Sequence, residues 1–398
     1  MLTRNFIMKP FSYFSPVEIV FGRGRLNEIG KIAAGFGKRA LLVTGHTSSA
    51  KIPLYARVKG LLAAAGIETA HFDGVIPNPT TGVVTTGAKV AKTFRADVVI
   101  GLGGGSSMDA AKAIAVEATH PGTAWDYLHY TGGPTEKTLP VIAVGTTAGT
   151  GSQTTPCAVI TRTENRDKSA IWHKNIFPRV AVVDPELMVS MPGNVTARTG
   201  FDAFCHNFEG LLSVNANPLT RTLSLDAIRL IVSYLPKAIE DGSDINARSQ
   251  MAWADTLGGL VIASAGVTLP HGLGMQIGGH CPHISHGEAL AVQYPEFTRY
   301  TWASAKEQFA AVGRILNPDL ACEDDAAAAE KSCEAIDDFL KKTGLWTDFK
   351  SLGVSKEEIR AIAGRGQVLG DYKNNPRVAS LDEMYDMLIR CYERNCSV

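Results

Sequence analysis

The sequence predicts an α/β amino-terminal half built on a parallel sheet, followed by an all-α carboxy-terminal half. Short β-branched runs alternate with helical stretches in the first half, and helical spacing dominates beyond the segment MPGNVTARTG (191–200). Strands that alternate with helices are typical of a parallel sheet covered on both faces. A chain of 398 residues is too long for one ordinary core. We therefore expect two domains, 1–190 and 191–398.

The strands of the first half are predicted from short runs rich in valine, isoleucine and leucine. These runs are RALLVT (39–44), ADVVIGLGGG (96–105), LPVIAVGTT (139–147) and PRVAVVDP (178–185). Two of the helices between them are predicted at ARVKGLLAAAG (56–66) and SSMDAAKAIAVEA (106–118). In the second half, five segments carry helical spacing: FDAFCHNFEGLL, PLTRTLSLDAIRLIVSYLPKAIE, SQMAWADTLGGLVIASAG, AAAAEKSCEAIDDFLKKTG and LDEMYDMLIRCYERN.

Composition excludes several classes of partner. Lys+Arg and Asp+Glu both number 39, so no net positive charge attracts nucleic acid or anionic lipid, and we expect neither partner. No run of about 18 apolar residues is present, which predicts no membrane-spanning helix. The seven cysteines include no C-x-x-C pair, and the amino-terminal segment has no signal-peptide core. Both features favour reduced thiols and a cytoplasmic protein.

A glycine run follows the second predicted strand and precedes a helix. Gly103, Gly104 and Gly105 lack a Cβ atom, so their backbone can approach a ligand closely. We expect Ser106 and Ser107 to cap the helix, whose free N–H groups and dipole favour a phosphate. The run departs from G-x-G-x-x-G because Ser106 occupies the third glycine position.

A second polar loop, GTTAGTGSQTT (145–155), follows the third strand. It offers hydroxyl groups on a glycine-permitted backbone, and such a loop can surround a ribose and a nicotinamide ring. Two polar loops at the carboxyl ends of neighbouring strands favour a dinucleotide in the crevice of an open parallel sheet. The candidate cofactor contacts in this loop are Thr146, Thr147, Thr150 and Ser152.

Four side chains of the second half are candidates for one metal site. Asp202 and His206 are four residues apart in a predicted helix and therefore share one helical face. His271 lies in LPHGLG, and His286 lies in the histidine-rich segment GMQIGGHCPHISHGEAL (274–290). One carboxylate and three imidazoles are enough to bind a divalent transition metal.

Several motifs together resemble the iron-containing alcohol dehydrogenase family, whose fold is shared with dehydroquinate synthase and glycerol dehydrogenase. The motifs occur in the family's order and extend over nearly the whole chain. They are GGGSSMDAAKAIA, TTAGTGSQTT, VVDPELM, TARTGFDAFCH, NANPLTR, LPHGLGMQIGGH, SHGEALAV and NNPR. The resemblance implies a dehydroquinate synthase-like fold and a homodimer or higher homo-oligomer.

The resemblance also implies roles for individual residues. Asp202, His206, His271 and His286 match the family's metal ligands, and His286 alone of the clustered histidines lies in the H-G context. Many members carry a further histidine where this chain has Met275, so His280 is a candidate to replace it in catalysis. The family's GTGSE is GTGSQ here, with Gln153 in place of the acid. We further assign Asn78, Asp109 and Lys168 to the cofactor site.

The expected activity is hydride transfer between a small primary alcohol, or its aldehyde, and NAD or NADP. A metal cation lowers the pKa of the alcohol, and both Fe²⁺ and Zn²⁺ suit the ligand set. A zinc-dependent, glycerol dehydrogenase-like enzyme is the first alternative, although that branch usually lacks a ligand at the position of His206. A dehydroquinate synthase-like lyase is the second, and the scarcity of Lys and Arg near the metal motifs argues against it. A non-catalytic dinucleotide-binding protein is the third.

The choice between NAD and NADP is expected to depend on the end of the first predicted strand. NAD-preferring relatives usually have Asp there, whereas this chain has Gly45. A missing carboxylate removes a charge that repels the 2′-phosphate of NADP. Donors in the following turn favour NADP further, and they are His46, Thr47, Ser48 and Ser49.

Overall fold

The structure, a computed structural model, describes residues 10–46, 52–130, 133–394 and 396. Six of its strands form one parallel sheet: β1 (Glu18–Phe21), β2 (Arg39–Gly45), β3 (Glu68–Val75), β4 (Val98–Gly103), β5 (Val141–Gly145) and β8 (Val180–Val183). Two more strands, β6 (Cys157–Arg162) and β7 (Asp167–Trp172), pair antiparallel as a separate hairpin. The strand order in the sheet is β1-β8-β5-β4-β2-β3.

The helices fall into two groups. Between the strands lie α1 (Ile29–Ala34), α2 (Ile52–Ala64), α3 (Thr81–Phe94) and α4 (Gly105–Glu117). The second half of the chain consists of α5 (Gly193–Leu212), α6 (Pro218–Glu240), α7 (Ile245–Ala265), α8 (Leu269–His280), α9 (His286–Thr301), α10 (Lys306–Leu316), α11 (Asp325–Lys342), α12 (Lys356–Gly364) and α13 (Leu381–Glu393). The predicted fold class is thus confirmed. The expected division at residue 190 lies between β8 and α5, and the independence of the two halves stays a prediction.

All four strands predicted from apolar runs are present, but other elements gave no clear signal. β3 contains His71 and Asp73 and is only partly buried, so it lacks the continuous apolar run of the central strands. The hairpin of β6 and β7 is joined by the polar segment 163–166, which forms a short 3-10 helix instead of a recognisable two-residue turn. Strand β7 carries Lys168, which the sequence assigned to the cofactor site.

The order in which strands are added to the sheet reverses between β2 and β4. Thr44 of β2 lies beside Leu102 of β4, while β3 extends the sheet on one side and β5 and β8 extend it on the other. In open α/β sheets, ligands bind at the carboxyl ends of the strands where the order reverses. The predicted glycine run follows β4 at this point, so the fold places it where a dinucleotide is expected.

Helix α5 has two faces with different tasks. Phe201, Phe204 and Phe208 recur at helical spacing and are fully buried in the core of the helical half. Burying each such side chain stabilises the fold by about 1.5–3 kcal/mol. Asp202 and His206 lie on another face of the same helix and line a cavity. The core packing of α5 therefore holds its two polar side chains in position.

Two further expectations concern membranes and cysteines. In the described part of the chain, no single helix is long and apolar enough to cross a membrane; α7 and α8 meet the length and composition criteria only as a pair, bent by 104°. All seven cysteines are free thiols.

Candidate active site

A cavity of about 410 Å³ lies between the sheet half and the helical half. Residues from the first turn of α4, from the hairpin, and from α5, α8 and α9 form its walls. The cavity therefore joins the two regions that the sequence assigned to the cofactor and to the metal. Of the predicted residues it contains Asn78, Gly105, Ser106, Asp109, Thr150, Ser152, Lys168, Asp202, His206, His271 and His286.

The four predicted metal ligands converge on one point. The Nε2 atoms of His206, His271 and His286 lie 3.7, 3.5 and 3.7 Å from Oδ1 of Asp202. Asp202, His271 and His286 offer ligand atoms that all lie within 4.8 Å of one another. His206 stacks on His271 with ring centroids 4.6 Å apart. The structure thus brings four candidate ligands from three helices, α5, α8 and α9, to one point, although Asp202 and His286 are far apart in the sequence.

Two hydrogen bonds orient the imidazoles. Nδ1 of His206 donates to the carbonyl oxygen of Gly149 at 3.0 Å, and Nδ1 of His271 donates to Oε1 of Glu209 at 2.7 Å. In the neutral ring, each bond places the proton on Nδ1, so that Nε2, which lies towards Asp202, is the nitrogen that can bind a metal. Partners of this kind fix the tautomer of metal-binding histidines. Glu209 also accepts the backbone N–H of Thr268 at 2.8 Å, so one carboxylate joins α5 to the start of α8.

The H-G motif has a packing explanation. A Cβ atom at Gly287 would lie 2.2 Å from the carbonyl oxygen of Arg198, so only glycine lets the start of α9 approach α5 this closely. Ser285 and Glu288 form a capping box that begins α9 at His286. Together these features deliver His286 to Asp202 on the neighbouring helix.

The charges of the cluster suit a bound cation. Burial acts to raise the pKa of Asp202, but the three histidines hold it at about 2. Burial acts to lower the pKa of His271, but the carboxylates of Glu209 and Asp202 raise it to about 10. For His286, burial dominates and lowers the pKa to about 3. Two buried carboxylates therefore draw positive charge to one point among the imidazoles.

Three atoms of the cluster are buried without a hydrogen-bond partner within the described residues. They are Oδ1 of Asp202, Nε2 of His271 and Nδ1 of His286. Buried polar atoms normally have partners, because an unsatisfied one costs about 1–3 kcal/mol. The first two of these atoms face each other at 3.5 Å. A divalent cation coordinated there satisfies both, so the residues present fit a metal.

The glycine run meets the second polar loop directly. Gly104 is the residue before α4 and no side chain caps this helix, so the expectation that Ser106 and Ser107 act as caps is wrong. Both serines lie inside the first turn, because the helix begins at Gly105. Cβ atoms at Gly104 and Gly105 would lie 3.3 and 2.7 Å from Cγ2 of Thr147 and Thr150. The N-terminus of α4 thus remains open to an anion.

Other predicted cofactor residues lie outside the cavity, at strand ends. The backbone N–H of Thr146 donates to the carbonyl oxygen of Gly103 at 2.8 Å. Gly45 ends β2, and the N–H of His46 donates to the carbonyl oxygen of Val75 at 3.1 Å. Thr47, Ser48 and Ser49, which were expected to bind a 2′-phosphate, lie outside the described residues.

Asp109 and Lys168 both line the cavity, and each is held there by hydrogen bonds. Asp109 accepts hydrogen bonds from Oγ of Ser152 at 2.6 Å and from the backbone N–H of Val159 at 3.1 Å. Lys168 of β7 donates to Oδ1 of Asn78 at 2.8 Å, and burial lowers its pKa to about 8. Sequence reading found the metal region poor in Lys and Arg, whereas the structure brings one lysine into the same cavity.

The remaining histidines of the cluster do not line the cavity. Nδ1 of His280 donates to the carbonyl oxygen of Gln276 at 3.0 Å, one turn earlier in α8. Nε2 of His283 contacts the carbonyl oxygen of Leu352 at 3.0 Å. Met275, by contrast, does line the cavity. The structure therefore does not place His280 where it would replace a histidine at position 275.

Sequence reading missed several residues of the site. Glu209 had a weak signal, since it lies seven residues after Asp202 on the same helical face. Others lie on segments with no motif, and only the tertiary structure brings them to the cavity. They are Cys157, Trp172, Ile262 and Asp371.

Comparison with known proteins agrees with this geometry. Residues 16–185 match the family model described as iron-containing alcohol dehydrogenase, and residues 196–392 match the carboxy-terminal model of the Fe-containing alcohol dehydrogenase family. The NAD-dependent methanol dehydrogenase of Bacillus methanolicus is 34% identical over 381 residues, which are 95% of this chain and 98% of that protein. The 1,3-propanediol dehydrogenase of Klebsiella pneumoniae is 35% identical over 94% of this chain and 97% of that protein.

Solved structures show the same likeness. The crystal structure of an archaeal halo-thermophilic alcohol dehydrogenase from a Red Sea brine pool superposes with a TM-score of 0.92 at 36% identity, covering 96% of this chain and 99% of that one. A 1,3-propanediol oxidoreductase superposes with a TM-score of 0.90 at 33% identity, over 96% of this chain and all of that one. From its sequence, fold and site, the chain belongs to the iron-containing alcohol dehydrogenase family and is an alcohol dehydrogenase of the iron type.

Proposed function

We propose that Asp202, His206, His271 and His286 bind one divalent metal, beside which a small primary alcohol and a nicotinamide ring exchange a hydride. The observation that carries the proposal is the convergence of three imidazole Nε2 atoms within 3.7 Å of one carboxylate oxygen. A metal bound by this set supplies a Lewis acid that polarises the substrate oxygen.

The dinucleotide is proposed to lie along the edge where the sheet order reverses. Its phosphates would contact the backbone from Gly103 to Ser107, where the start of α4 has no side-chain cap. Its nicotinamide would enter the cavity beside Thr150, Lys168 and Asn78. In this arrangement the ring and the alcohol meet between the sheet half and the helical half.

The protein's own side chains hold this arrangement rigid. Glu209 keeps the proton on Nδ1 of His271, and Gly149 does the same for His206 through its carbonyl oxygen. The hydrogen bond from Lys168 to Asn78 fixes the ammonium group at the cavity wall. Fixed orientation of both reactants would lower the barrier without a side-chain nucleophile. A nicotinamide held beside Thr150, Lys168 and Asn78 would accept the hydride from the carbinol carbon, and the hydroxyl proton would be released.

We infer that the metal is Fe²⁺, with Zn²⁺ as the second candidate. A nitrogen and oxygen ligand set binds both ions, and Zn²⁺ more tightly at equal availability. His206 supports the iron enzyme over the glycerol dehydrogenase-like alternative, because its Nε2 atom lies among the other ligands.

The cofactor preference is proposed to favour NADP. Gly45 has no side chain to repel a 2′-phosphate, and a Cβ atom there would contact the carbonyl oxygen of Val75 at 3.5 Å. The methanol dehydrogenase relative is named as NAD-dependent, which supports the opposite choice. A cytoplasmic location and a homo-oligomeric state also stay predictions.

The proposed ligand set is tested by His206→Ala. We expect bound metal and alcohol oxidation to fall together, by more than the 10–100-fold typical of losing an outer partner. His283→Ala is the matched control, since His283 lies outside the cavity. Metal is measured by elemental analysis of the purified protein, and turnover by absorbance of the reduced nicotinamide. Retained metal and activity in His206→Ala would exclude His206 as a ligand.

A further inference from the structure

Asp371 contributes a carboxylate to the cavity from an element that carries no recognised motif. It lies on a 3-10 helix at Gly370–Asn374 that packs against α8. A Cβ atom at Gly272 would lie 3.5 Å from Cβ of Asp371 and 3.8 Å from its Oδ2 atom. The carboxylate therefore lies beside the residue that follows His271, next to the proposed metal ligands but outside their cluster.

This carboxylate differs from Asp109, which Ser152 and Val159 engage, because among the described residues its side chain accepts a hydrogen bond only from its own backbone N–H. Within the described residues, no side chain forms a hydrogen bond or an ion pair with Asp371. Arg365, which precedes it in the chain, pairs with Asp167 at 2.9 Å, and the ammonium group of Lys373 lies over the ring of Tyr372. Asp371 lines the cavity and is only partly buried, so its carboxylate is accessible to a ligand. A donor group on such a ligand can form a charge-assisted hydrogen bond with it.

The wall around Asp371 is largely apolar. Ile262, Val267 and Leu369 line the cavity with it, and Met275 lies on the same side of α8 as His271. Cys157 and Val159 of β6 line the same cavity as Asp371 and His271. A cavity of about 410 Å³ has room for a short alcohol whose reacting hydroxyl lies at the metal ligands and whose far end extends towards Asp371.

We propose that Asp371 determines substrate specificity by accepting a hydrogen bond from a second donor group on the alcohol, remote from the hydroxyl that is oxidised. The preferred substrates are bifunctional alcohols whose second group is a hydroxyl or an ammonium, and alcohols with a carboxylate at that end are rejected. This inference rests on the proposed function, because it assigns the orientation of the alcohol relative to the metal ligands.

The test compares kcat/KM for 1-butanol, 1,3-propanediol, 3-amino-1-propanol and 3-hydroxypropanoate at pH 8. In the unaltered enzyme, the bifunctional donor alcohols should exceed 1-butanol, and the hydroxy acid should be the poorest substrate. Asp371→Asn should lower the ratio of the donor alcohol to 1-butanol about tenfold or more, because hydrogen bonds to charged groups are the strong ones. The same change should improve 3-hydroxypropanoate relative to 1-butanol.

Three further variants make the result specific. Asp371→Glu keeps the charge and should retain part of the preference, whereas Asp371→Ala should lose it. Asp226→Asn, on the exposed face of α6, removes one negative charge far from the cavity and should leave the ratios as they are. If the substitutions at Asp371 lower kcat/KM relative to 1-butanol for the diol alone, or for the amino alcohol alone, the result identifies which donor group Asp371 binds and supports the proposal.

Failure of this inference is distinct from failure of the proposed function. Suppose that the unaltered enzyme oxidises alcohols but that Asp371→Asn and Asp371→Ala leave every kcat/KM ratio relative to 1-butanol unchanged. Asp371 then does not contact the second group of the substrate. If the unaltered enzyme, loaded with metal, reduces neither cofactor with any of the four alcohols, the proposed function itself is wrong.

Discussion

Two clusters of buried charged side chains, one around Lys112 and Asp109 and one around Asp202 and His271, differ in how their polar atoms are satisfied. Lys112 is fully buried, and its ammonium group donates to the carbonyl oxygens of Ser152 and Cys157 at 2.7 and 2.6 Å and to Oγ of Ser152 at 2.8 Å. Asp109, 3.6 Å from Lys112, is engaged by Ser152 and Val159. In the other cluster, Oδ1 of Asp202 and Nε2 of His271 have no partner within the described residues.

The difference separates a structural role from a ligand-binding role. A satisfied buried network holds its segments in one arrangement, and the Lys112 network joins α4 to the second polar loop and to β6. An unsatisfied cluster of metal-binding groups is stable only if something else occupies the space between them. We therefore expect Asp109, which the sequence assigned to the cofactor site and which lines the cavity, also to position the loops of that site through Ser152 and Val159.

The largest expected effect on stability comes from Lys112→Met. The change leaves the carboxylate of Asp109 buried without its cation, and breaking a buried pair costs about 3–5 kcal/mol. Denaturant unfolding measures the loss, and metal content per folded chain should not change. Lys89→Met, on the exposed face of α3, is the control. A stability equal to that of the control would show that the network is not structural.

The second prediction concerns Glu209, the hydrogen-bond acceptor of His271 at the metal cluster. Glu209→Gln weakens the acceptor for His271, and loss of such an outer partner typically costs 10–100-fold in metal affinity. Competition with a chelator measures the change, with Glu240→Gln at the exposed end of α6 as the control. Unchanged affinity would mean that Glu209 serves only to cap α8.

The third prediction concerns the open helix terminus. Gly104→Val places a branched side chain over the backbone where phosphate is proposed to bind, and its Cβ atom would lie 3.3 Å from Thr147. We expect the dissociation constant of the dinucleotide to rise by about tenfold to a hundredfold, since a lost charge-assisted contact costs roughly 1.5–3 kcal/mol. Gly60→Val is a suitable control, because a Cβ atom at Gly60 has no neighbour within 4 Å. Equal cofactor binding in the two variants would remove the loop from the site.

The smallest effect is expected at the end of β2. Gly45→Asp should shift kcat/KM towards NAD by about fivefold, because the added carboxylate repels a 2′-phosphate but is screened by salt. The ratio of the two cofactors is measured with one alcohol. A native preference for NAD that does not change in the variant would show that position 45 does not contact the adenosine ribose.

Gln153 is a residue whose environment the motif alone did not predict. The family motif has Glu there, and Gln153 was expected only to alter the local charge. In the structure its side-chain amide donates to Oδ2 of Asp255 at 2.8 Å, and Asp255 also accepts the N–H of Gly151 at 2.7 Å. Burial raises the pKa of Asp255 to about 7. A second carboxyl at position 153 would have to share a proton with Asp255, which sequence reading had no means to detect.

The sequence by itself determined the fold class, the four candidate metal ligands and the position of the glycine run. Each depends on local periodicity or on a motif: α5 has 3.6 residues per turn, so Asp202 and His206 necessarily share a face, and a glycine run between strand and helix has few other uses.

Only the tertiary structure decided which further side chains line the cavity beside the candidate metal ligands. Lys168, Glu209 and Asp371 come from a hairpin, a helix and a 3-10 turn whose approach depends on packing between distant segments. His280 is close to His286 in the sequence, yet it lies outside the cavity because its ring is bonded to its own helix. Sequence spacing specifies which residues share a helical face, whereas close packing between elements decides which faces meet.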